Sequence, residues 1–268
     1  RVLKLLQTLD PGFHRPWIRD RLTDPEFRDD AVAAVLEDGD RALQNNQQES
    51  ARSAFLRAFD HARDRQQVIT TAQRLKSVGE NPDTIGHLGL VIDWWLTGPF
   101  DAPDKSGFRL TFTPEVAESI DLQTVYERKD SPPVGWHRHT TDDPLGQLNL
   151  VDVLGKTDEG VGYAWTELSV AKDVNAHLRC SADDCCKVWL NGTVVSAHEQ
   201  WLNGTRFDRF TQPVTLKKGR NRILVKVCQG PQHRNPEVFN NWSLQLRLCD
   251  AEGRGIAFET ALAGVDDQ

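Results

Sequence analysis

The sequence lacks the features that mark several protein classes. No apolar run approaches the roughly 18 residues that a membrane-spanning helix needs, so we expect no membrane insertion. Lys and Arg number 32 against 39 Asp and Glu, a net charge of −7 with no basic stripe. An acidic chain without such a stripe is a poor partner for nucleic acid and for anionic membrane surfaces. The chain begins at Arg1 and contains no Met, and we expect a processed chain or a fragment.

Motifs of catalysis are absent as well. The sequence has no nucleophile elbow, P-loop, dinucleotide-binding glycine fingerprint or HExxH helix. Glu167 and Glu199 would form a glycosidase carboxylate pair only if the fold brought them together. The acidic neighbours of Cys185 would raise its thiol pKa, which disfavours a nucleophile. We therefore expect no catalytic residues and favour a protein that is not an enzyme.

The five cysteines follow no CxxC spacing, which argues against a zinc site. Cys228 and Cys249 each end a predicted strand, on the face opposite its main apolar set. If those strands are neighbours, the two Cα atoms could lie at the roughly 4.4–6.8 Å that a disulfide requires. We predict this disulfide, with Cys180 buried and free. The alternative is that all five cysteines are reduced and packed as small apolar groups.

The first third of the chain has the pattern of amphipathic helices. Apolar residues recur at three- and four-residue spacings, as in Ala54, Phe55, Ala58, Phe59 and Ala62. The pattern predicts helices within 31–36, 51–62 and 66–78, and Gly79 predicts the end of the third. We interpret residues 1–86 as a domain of short antiparallel helical hairpins of the HEAT kind.

Short strands separated by Gly, Pro and Asp follow from Leu88 onward. Candidate strands are 90–97, 108–113, 134–139, 162–170, 175–180, 187–190, 214–216, 221–228, 242–248 and 255–259, and Asn191-Gly192 predicts a hairpin turn. Many short strands with alternating polarity are typical of a sandwich or barrel. We predict an α+β, multi-domain chain with a jelly-roll-like antiparallel β-sandwich at 87–262 and a tail at 263–268.

Four segments carry a resemblance to a known kind of module. They are Asp-Trp-Trp-Leu-Thr-Gly-Pro-Phe-Asp at 93–101, Tyr-Ala-Trp-Thr-Glu at 163–167, Lys-Val-Trp-Leu-Asn-Gly at 187–192 and Leu-Lys-Lys-Gly-Arg-Asn-Arg-Ile-Leu-Val-Lys-Val at 216–227. In this order they resemble the β-sandwich of planctomycete-type extracytoplasmic proteins, which follows HEAT-like helices and is similar to PA14 and galactose-binding-like carbohydrate-binding domains. The resemblance covers about residues 88–250 and implies a bacterial, periplasmic or secreted protein. In the PA14-like pattern Gly follows the carboxylate pair, whereas Cys185 and Cys186 follow it here.

The candidate ligand site centres on Asp183 and Asp184, which the pattern places in a loop before the hairpin. Their carboxylates could hold calcium, with Asn191 as a further oxygen ligand, and Trp201 could stack on a sugar ring. The alternative is that the two aspartates cap their own backbone. Calcium is the only cofactor that these residues suggest.

A second candidate site is weaker. His137, His139, Asp142 and Asp143 could hold a transition metal, but a surface strand that runs into a turn explains the same residues more simply.

These features favour a non-catalytic binding module, with a glycan or polysaccharide as its ligand. The first alternative is a protein–protein interaction or scaffold module that binds its partner through the helical part. A hydrolase domain of unknown class is the third hypothesis.

Overall fold

The computed structural model describes residues 8–9, 15–117, 119–128, 131–201, 204–235, 237–238 and 240–260. The chain divides into two compact units. One is helical and holds the described residues up to 87 together with 252–254, and the other is mainly β and holds the described residues of 88–251 and 255–260. The domain boundary at 86/87 stays a prediction, and the predicted tail at 263–268 lies outside the described residues.

The helical unit is built from helices joined by short turns. They are α1 (Arg15–Arg19), α2 (Arg28–Gln44), α3 (Gln48–His61), α4 (Arg65–Ser77) and α5 (Thr84–Leu88). Phe55 of α3 packs on Gly39 of α2, where a Cβ would lie 2.4 Å from the ring, so glycine permits the close approach. Asp64 caps α4 by accepting backbone N–H bonds at 2.9 and 3.0 Å. No helix in the described ranges combines the length and the apolarity that crossing a bilayer requires.

The β unit contains most of the strands that the sequence predicts. They are β1 (Asp93–Asp101), β2 (Val125–Tyr126), β3 (Val134–Gly135), β4 (His137–Thr140), β5 (Leu148–Asn149), β6 (Gly160–Val170), β7 (Val174–Asp183), β8 (Cys185–Leu190), β9 (Thr193–His198), β10 (Phe210–Leu216), β11 (Gly219–Cys228), β12 (Ser243–Cys249) and β13 (Glu259–Thr260), with two short helices, α6 (Thr113–Val116) and α7 (Leu150–Leu154). The predicted strand at 108–113 is wrong, because the chain there forms turns that lead into α6 with Pro114 in its first turn.

Eleven of these strands form two antiparallel sheets that pack face to face, and β2 and β3 form a separate two-stranded sheet. The larger sheet has the order β4-β1-β6-β11-β8-β9, with β13 also paired to β6, and the smaller has the order β10-β7-β12-β5. The core between them includes Leu96 and Val225 from the larger sheet and Leu178 and Leu246 from the smaller one, all fully buried. The chain is therefore a mixed α and β protein with a β-sandwich.

A second apolar layer covers the outer face of the larger sheet. Phe100 of β1 packs there against Tyr163 of β6, together with Tyr126 and Trp136 from the chain between β1 and β4. Much of β11 is therefore buried on both faces. Lys226 on its outer face is fully buried and pairs with Glu115 of α6 at 2.7 Å.

The predicted disulfide between Cys228 and Cys249 is wrong. All five cysteines are free and buried. Cys228 lies in β11 of the larger sheet, where its partner across the ladder is Cys185 of β8. Cys249 lies in β12 of the smaller sheet, with its Sγ 3.7 Å from the His177 carbonyl oxygen. The two strands were assumed to be neighbours, but they belong to different sheets. The expectation that Cys180 is buried and free is confirmed.

Candidate functional site

The two candidate carboxylates lie where the chain crosses between the sheets. Asp183 ends β7 of the smaller sheet, and Asp184 connects it to β8 of the larger one through a cis peptide bond. Their exposed fractions are 5% and 2%. The expectation of an open loop is therefore wrong, because strand pairing continues up to Asp183 and resumes at Cys185.

Gly230 brings the carboxylate pair close to Trp201. The backbone N–H of Gly230 donates to Asp184 Oδ2 at 2.8 Å. A Cβ on residue 230 would lie 2.5 Å from that oxygen and 3.3 Å from the Trp201 ring. Only glycine therefore permits the carboxylate and the indole to lie against the same backbone segment. Sequence reasoning missed Gly230, although the Gly230-Pro231 dipeptide marks a turn there.

The electrostatics of the pair favour a bound proton or cation. The pKa of the Asp183 carboxyl is raised to about 7, first by burial and then by its hydrogen bond to Asp184 and the charge of that neighbour. The backbone of Gly204 and the positive charge of Arg209 act in the opposite direction. Two adjacent carboxylates in a low-dielectric site repel each other when both are ionised. A cation bound between them would relieve this repulsion, as protonation of Asp183 does.

We expect the β unit to lose stability as the pH rises through this range. The Asp183 carboxyl has a pKa of about 7 in the folded chain and of about 3.9 in an unfolded one. Between these values only the unfolded chain releases its proton, so the free energy of unfolding falls from about pH 4 to about pH 7. Urea unfolding in EDTA measures this fall, and Asp183→Asn should remove part of it. An identical pH dependence in the variant would show that Asp183 titrates normally.

Polar groups on the neighbouring connections converge on Gly230. The Gly230 carbonyl oxygen accepts bonds from the Glu159 backbone N–H at 3.1 Å and from Asn240 Nδ2 at 3.2 Å. Gln229 is 2% exposed and donates from Nε2 to the Asn240 carbonyl oxygen at 3.1 Å. Its Oε1 is buried and has no hydrogen-bond partner among the described residues. This end of the sandwich therefore offers both carboxylate and amide oxygens.

Trp201 borders the pair and is half-buried. Its Nε1 donates to Glu199 Oε1 at 3.4 Å, and the Lys105 ammonium lies 5.9 Å from its ring centroid. Glu199 also pairs with Arg109 at 3.1 Å. The ring is thus fixed by charged neighbours and retains an exposed part for a ligand.

Asn191 does not join this site. It forms the turn between β8 and β9 with Gly192, and positive φ angles of 51° and 82° confirm the predicted hairpin. The length of β8 separates Asn191 from Asp184, which amounts to about 20 Å at 3.3 Å per residue. Its side chain accepts the Arg222 backbone N–H at 2.8 Å and donates to Asn221 at 3.1 Å. The structure thus brings together three of the four predicted residues and places Asn191 at the opposite end of the strand.

No group of three or more His, Cys, Asp or Glu side chains in the described ranges is placed to hold a metal ion. His137 and His139 lie on β4, and burial and the charge of His139 lower the pKa of His137. Asp143 instead accepts the backbone N–H groups of Leu145 and Gln147, as in an ordinary turn. A cation at Asp183 and Asp184 would therefore need its remaining oxygen ligands from amides, backbone, water or the bound molecule.

The side chains considered as catalytic groups do not form a catalytic site. The two glutamates pair with different arginines, and the cysteine thiol is buried. Glu167 pairs with Arg220 and Arg222, whereas Glu199 pairs with Arg109. The Cys185 thiol is buried, and its hydrogen bond to Cys228, together with burial, raises its pKa. A buried thiol with a raised pKa is a poor nucleophile.

The sequence matches no family model and no curated protein. Among solved structures, the chain is similar to a β-glucuronidase from an uncultured Clostridium species, with 17% identity over 60% of this chain and 29% of that one and a TM-score of 0.37. It is similar to a β-glucosidase from Kluyveromyces marxianus in complex with glucose, with 15% identity over 59% of this chain and 16% of that one and a TM-score of 0.36. It is also similar to the PA14 domain of the MpAFP antifreeze protein, with 15% identity over 40% of this chain and 50% of that one and a TM-score of 0.28. The chain thus spans at most half of these proteins, and at these scores the likeness supports no conclusion about what it binds.

Proposed function

We propose that the chain is a non-catalytic carbohydrate-binding module whose ligand site is the end of the sandwich that carries Asp183 and Asp184. The observation that carries this proposal is the buried carboxylate pair beside a partly exposed indole. Carboxylate oxygens accept hydrogen bonds from sugar hydroxyls or bind them through a hard cation, and an indole face packs against the C–H surface of a sugar ring. The residues proposed to contact the ligand at this end are Asp183, Asp184 and Trp201.

Calcium fits the donor set at this site. Asp183 and Asp184 supply two carboxylates. Gln229, whose Oε1 has no hydrogen-bond partner among the described residues, precedes Gly230 in the sequence, and the Gly230 N–H donates to Asp184. All of these donors are oxygens, as calcium prefers, and a calcium shell holds about six to eight of them. A bound calcium ion would supply coordination to sugar hydroxyls and neutralise the two carboxylates. Asn191 has no part in this shell.

The source and the finer fold assignment are also proposals. The resemblance of the four sequence segments supports an extracytoplasmic bacterial protein of the planctomycete type, with a jelly-roll-like sandwich at 87–262. Successive helices joined by short turns in the helical unit support hairpins of the HEAT kind over 1–86. The alternative function, docking of a protein partner on the helical unit, has weaker support, because Leu43 and Leu56 are single exposed side chains and Trp17 packs on Phe27.

A glycan array probed with the full chain in calcium and in EDTA tests the function. We expect glycans to be retained in calcium and lost in EDTA. The double variant Asp183→Asn with Asp184→Asn keeps the shape of both side chains and should abolish the calcium-dependent binding, while Asp142→Asn, at an exposed carboxylate, should bind as the wild type does. Calorimetric titration with calcium alone checks the ion separately. Retention of the same glycans by the double variant would place the site elsewhere, and retention of none by the wild type would favour the protein-docking alternative.

A further inference from the structure

A row of large apolar side chains crosses the outer face of the larger sheet. Trp95 of β1 is paired with Trp165 of β6, Trp165 with Leu224 of β11, and Leu224 with Trp189 of β8. Residues paired across adjacent strands point to the same face of a sheet. The four side chains therefore form one continuous apolar strip, on the face away from the sandwich core.

Part of this strip lines a cleft of about 410 Å³. Its floor is formed by Trp165, Trp189 and Leu224. Its opposite wall is formed by residues 114 and 115 of α6 together with Ala117 and Ser119. A volume of this size is in the range of small-molecule sites. The wall is held in place by the buried pair between Glu115 of α6 and Lys226 of β11, so the cleft has a fixed boundary.

The charge at the edge of the cleft is positive. Arg220 and Arg222 both line it, and both pair with Glu167, at 3.2 and 3.3 Å. Two guanidinium groups against one carboxylate leave one net positive charge. The arginine side chains are 76% and 56% exposed, and each guanidinium has five N–H donors, more than its bond to Glu167 uses. Among the described residues that line the opposite wall, Glu115 is the acidic one, and it is already paired with Lys226.

We infer that this cleft binds a sugar acid, a uronic acid residue of a saccharide, with its pyranose ring against Trp165 and Trp189 and its carboxylate on Arg220 and Arg222. Indole faces pack the apolar side of a pyranose, and a guanidinium binds a carboxylate through paired hydrogen bonds. Asn191 has a positioning role, since its side chain accepts the backbone N–H of Arg222 and so fixes the strand that carries the guanidinium. The inference goes beyond the proposed function, because this site uses neither the carboxylate pair nor calcium.

Calorimetric titration of the full chain in EDTA with D-glucuronate and D-galacturonate, against D-glucose and D-galactose, tests the inference. We expect the acids to bind at least about tenfold more tightly than the neutral sugars, since a charge-assisted hydrogen bond contributes about that factor. The double variant Arg220→Gln with Arg222→Gln should lose this preference. Arg138→Gln, at an arginine on edge strand β4 that does not line the cleft, should keep it. Ser119→Glu on the exposed opposite wall should also weaken uronate binding without altering the strands.

Three results would overturn the inference. One is equal binding of acids and neutral sugars, or of neither, by the wild type. A second is wild-type uronate affinity in both the double arginine variant and Ser119→Glu. The third is loss of uronate binding in Asp183→Asn with Asp184→Asn, which would place the acid at the other end of the sandwich. Titration with acetate separates sugar recognition from attraction of any carboxylate, and acetate binding as tight as uronate binding would exclude a role for the indole floor.

Discussion

Replacing Glu115 with alanine is expected to lower the free energy of unfolding of the β unit by about 3–5 kcal/mol. The Lys226 side chain is fully buried, with its Nζ 2.7 Å from Glu115 Oε1 and hydrogen-bonded to the Leu110 carbonyl oxygen. The change would leave an ammonium group in an apolar layer without its carboxylate. Glu115 also accepts the Tyr163 hydroxyl and, at 3.3 Å, the Phe112 backbone N–H. The same change therefore releases the segment that covers the outer sheet face.

Urea unfolding followed by tryptophan fluorescence measures this loss, because seven of the eight tryptophans lie in the β unit. Lys217 offers a matched control, since its exposed Nζ lies 3.2 Å from Asp173. Lys217→Met should cost less than about 1 kcal/mol, as is usual for a surface pair. The double variant Glu115→Leu with Lys226→Met should recover most of the stability, because apolar side chains of similar size often replace a buried pair without loss. A cost below about 1 kcal/mol for Glu115→Ala would mean that water solvates Lys226.

Local signals in the sequence predicted the elements well. Alternating polarity located β6, β11 and β12, because the pattern of a strand depends on its own residues. Gly79 was expected to end a helix and has a φ of 88° just beyond α4. The Asn191-Gly192 turn has the positive φ angles that such a dipeptide favours. Each of these features is decided by a few neighbouring residues, so no knowledge of the tertiary fold was needed.

The pairing of strands and the burial of sheet faces could not be predicted from these local signals. Lys226 alternates with apolar residues, a pattern that does not by itself indicate burial, yet the chain between β1 and β4 buries it. Cys228 and Cys249 lie in strands of similar pattern that belong to different sheets. Which strands pair, and what covers an outer face, depends on contacts between residues far apart in sequence. Those contacts leave no local signal.

In the candidate site, too, the sequence indicated residue types but not which residues lie close together in space. Trp201 lies near Asp184 through Gly230, a residue 46 positions after Asp184. Asn191 is only seven positions after Asp184, but an extended strand separates the two ends. Closeness in sequence was therefore a poor guide to closeness in space. The residue types were informative, since adjacent carboxylates and a loop tryptophan suggested ligand chemistry without showing how the fold places them.

Replacing Asp208 with alanine is the other change expected to have a large effect. Asp208 lies in the connection that leads into β10, and its carboxylate accepts two bonds from Arg247 and one from Arg179 at 3.0 Å. The Arg247 side chain is only 2% exposed. Removal of the carboxylate leaves this cation buried without its counter-charge, which should cost on the order of 3 kcal/mol. Asp208 also precedes Arg209, whose charge lowers the pKa of Asp183, so the proposed calcium and glycan binding should weaken as well.

Alanine at residue 208 also lowers the free energy of unfolding through its backbone conformation. A matched variant measures this second effect, so that it can be subtracted. Asp208 has a φ of 55°, and the exposed Asp104 has a φ of 59°. Asp104→Ala therefore measures the cost of alanine in the left-handed region, about 1–2 kcal/mol, without loss of an arginine contact. In urea unfolding, Asp208→Ala should cost on the order of 3 kcal/mol more than Asp104→Ala. Equal costs for the two variants would mean that Arg247 is stabilised by its other contacts, and the carboxylate of Asp208 would then have no special role in holding the connection beside the candidate site.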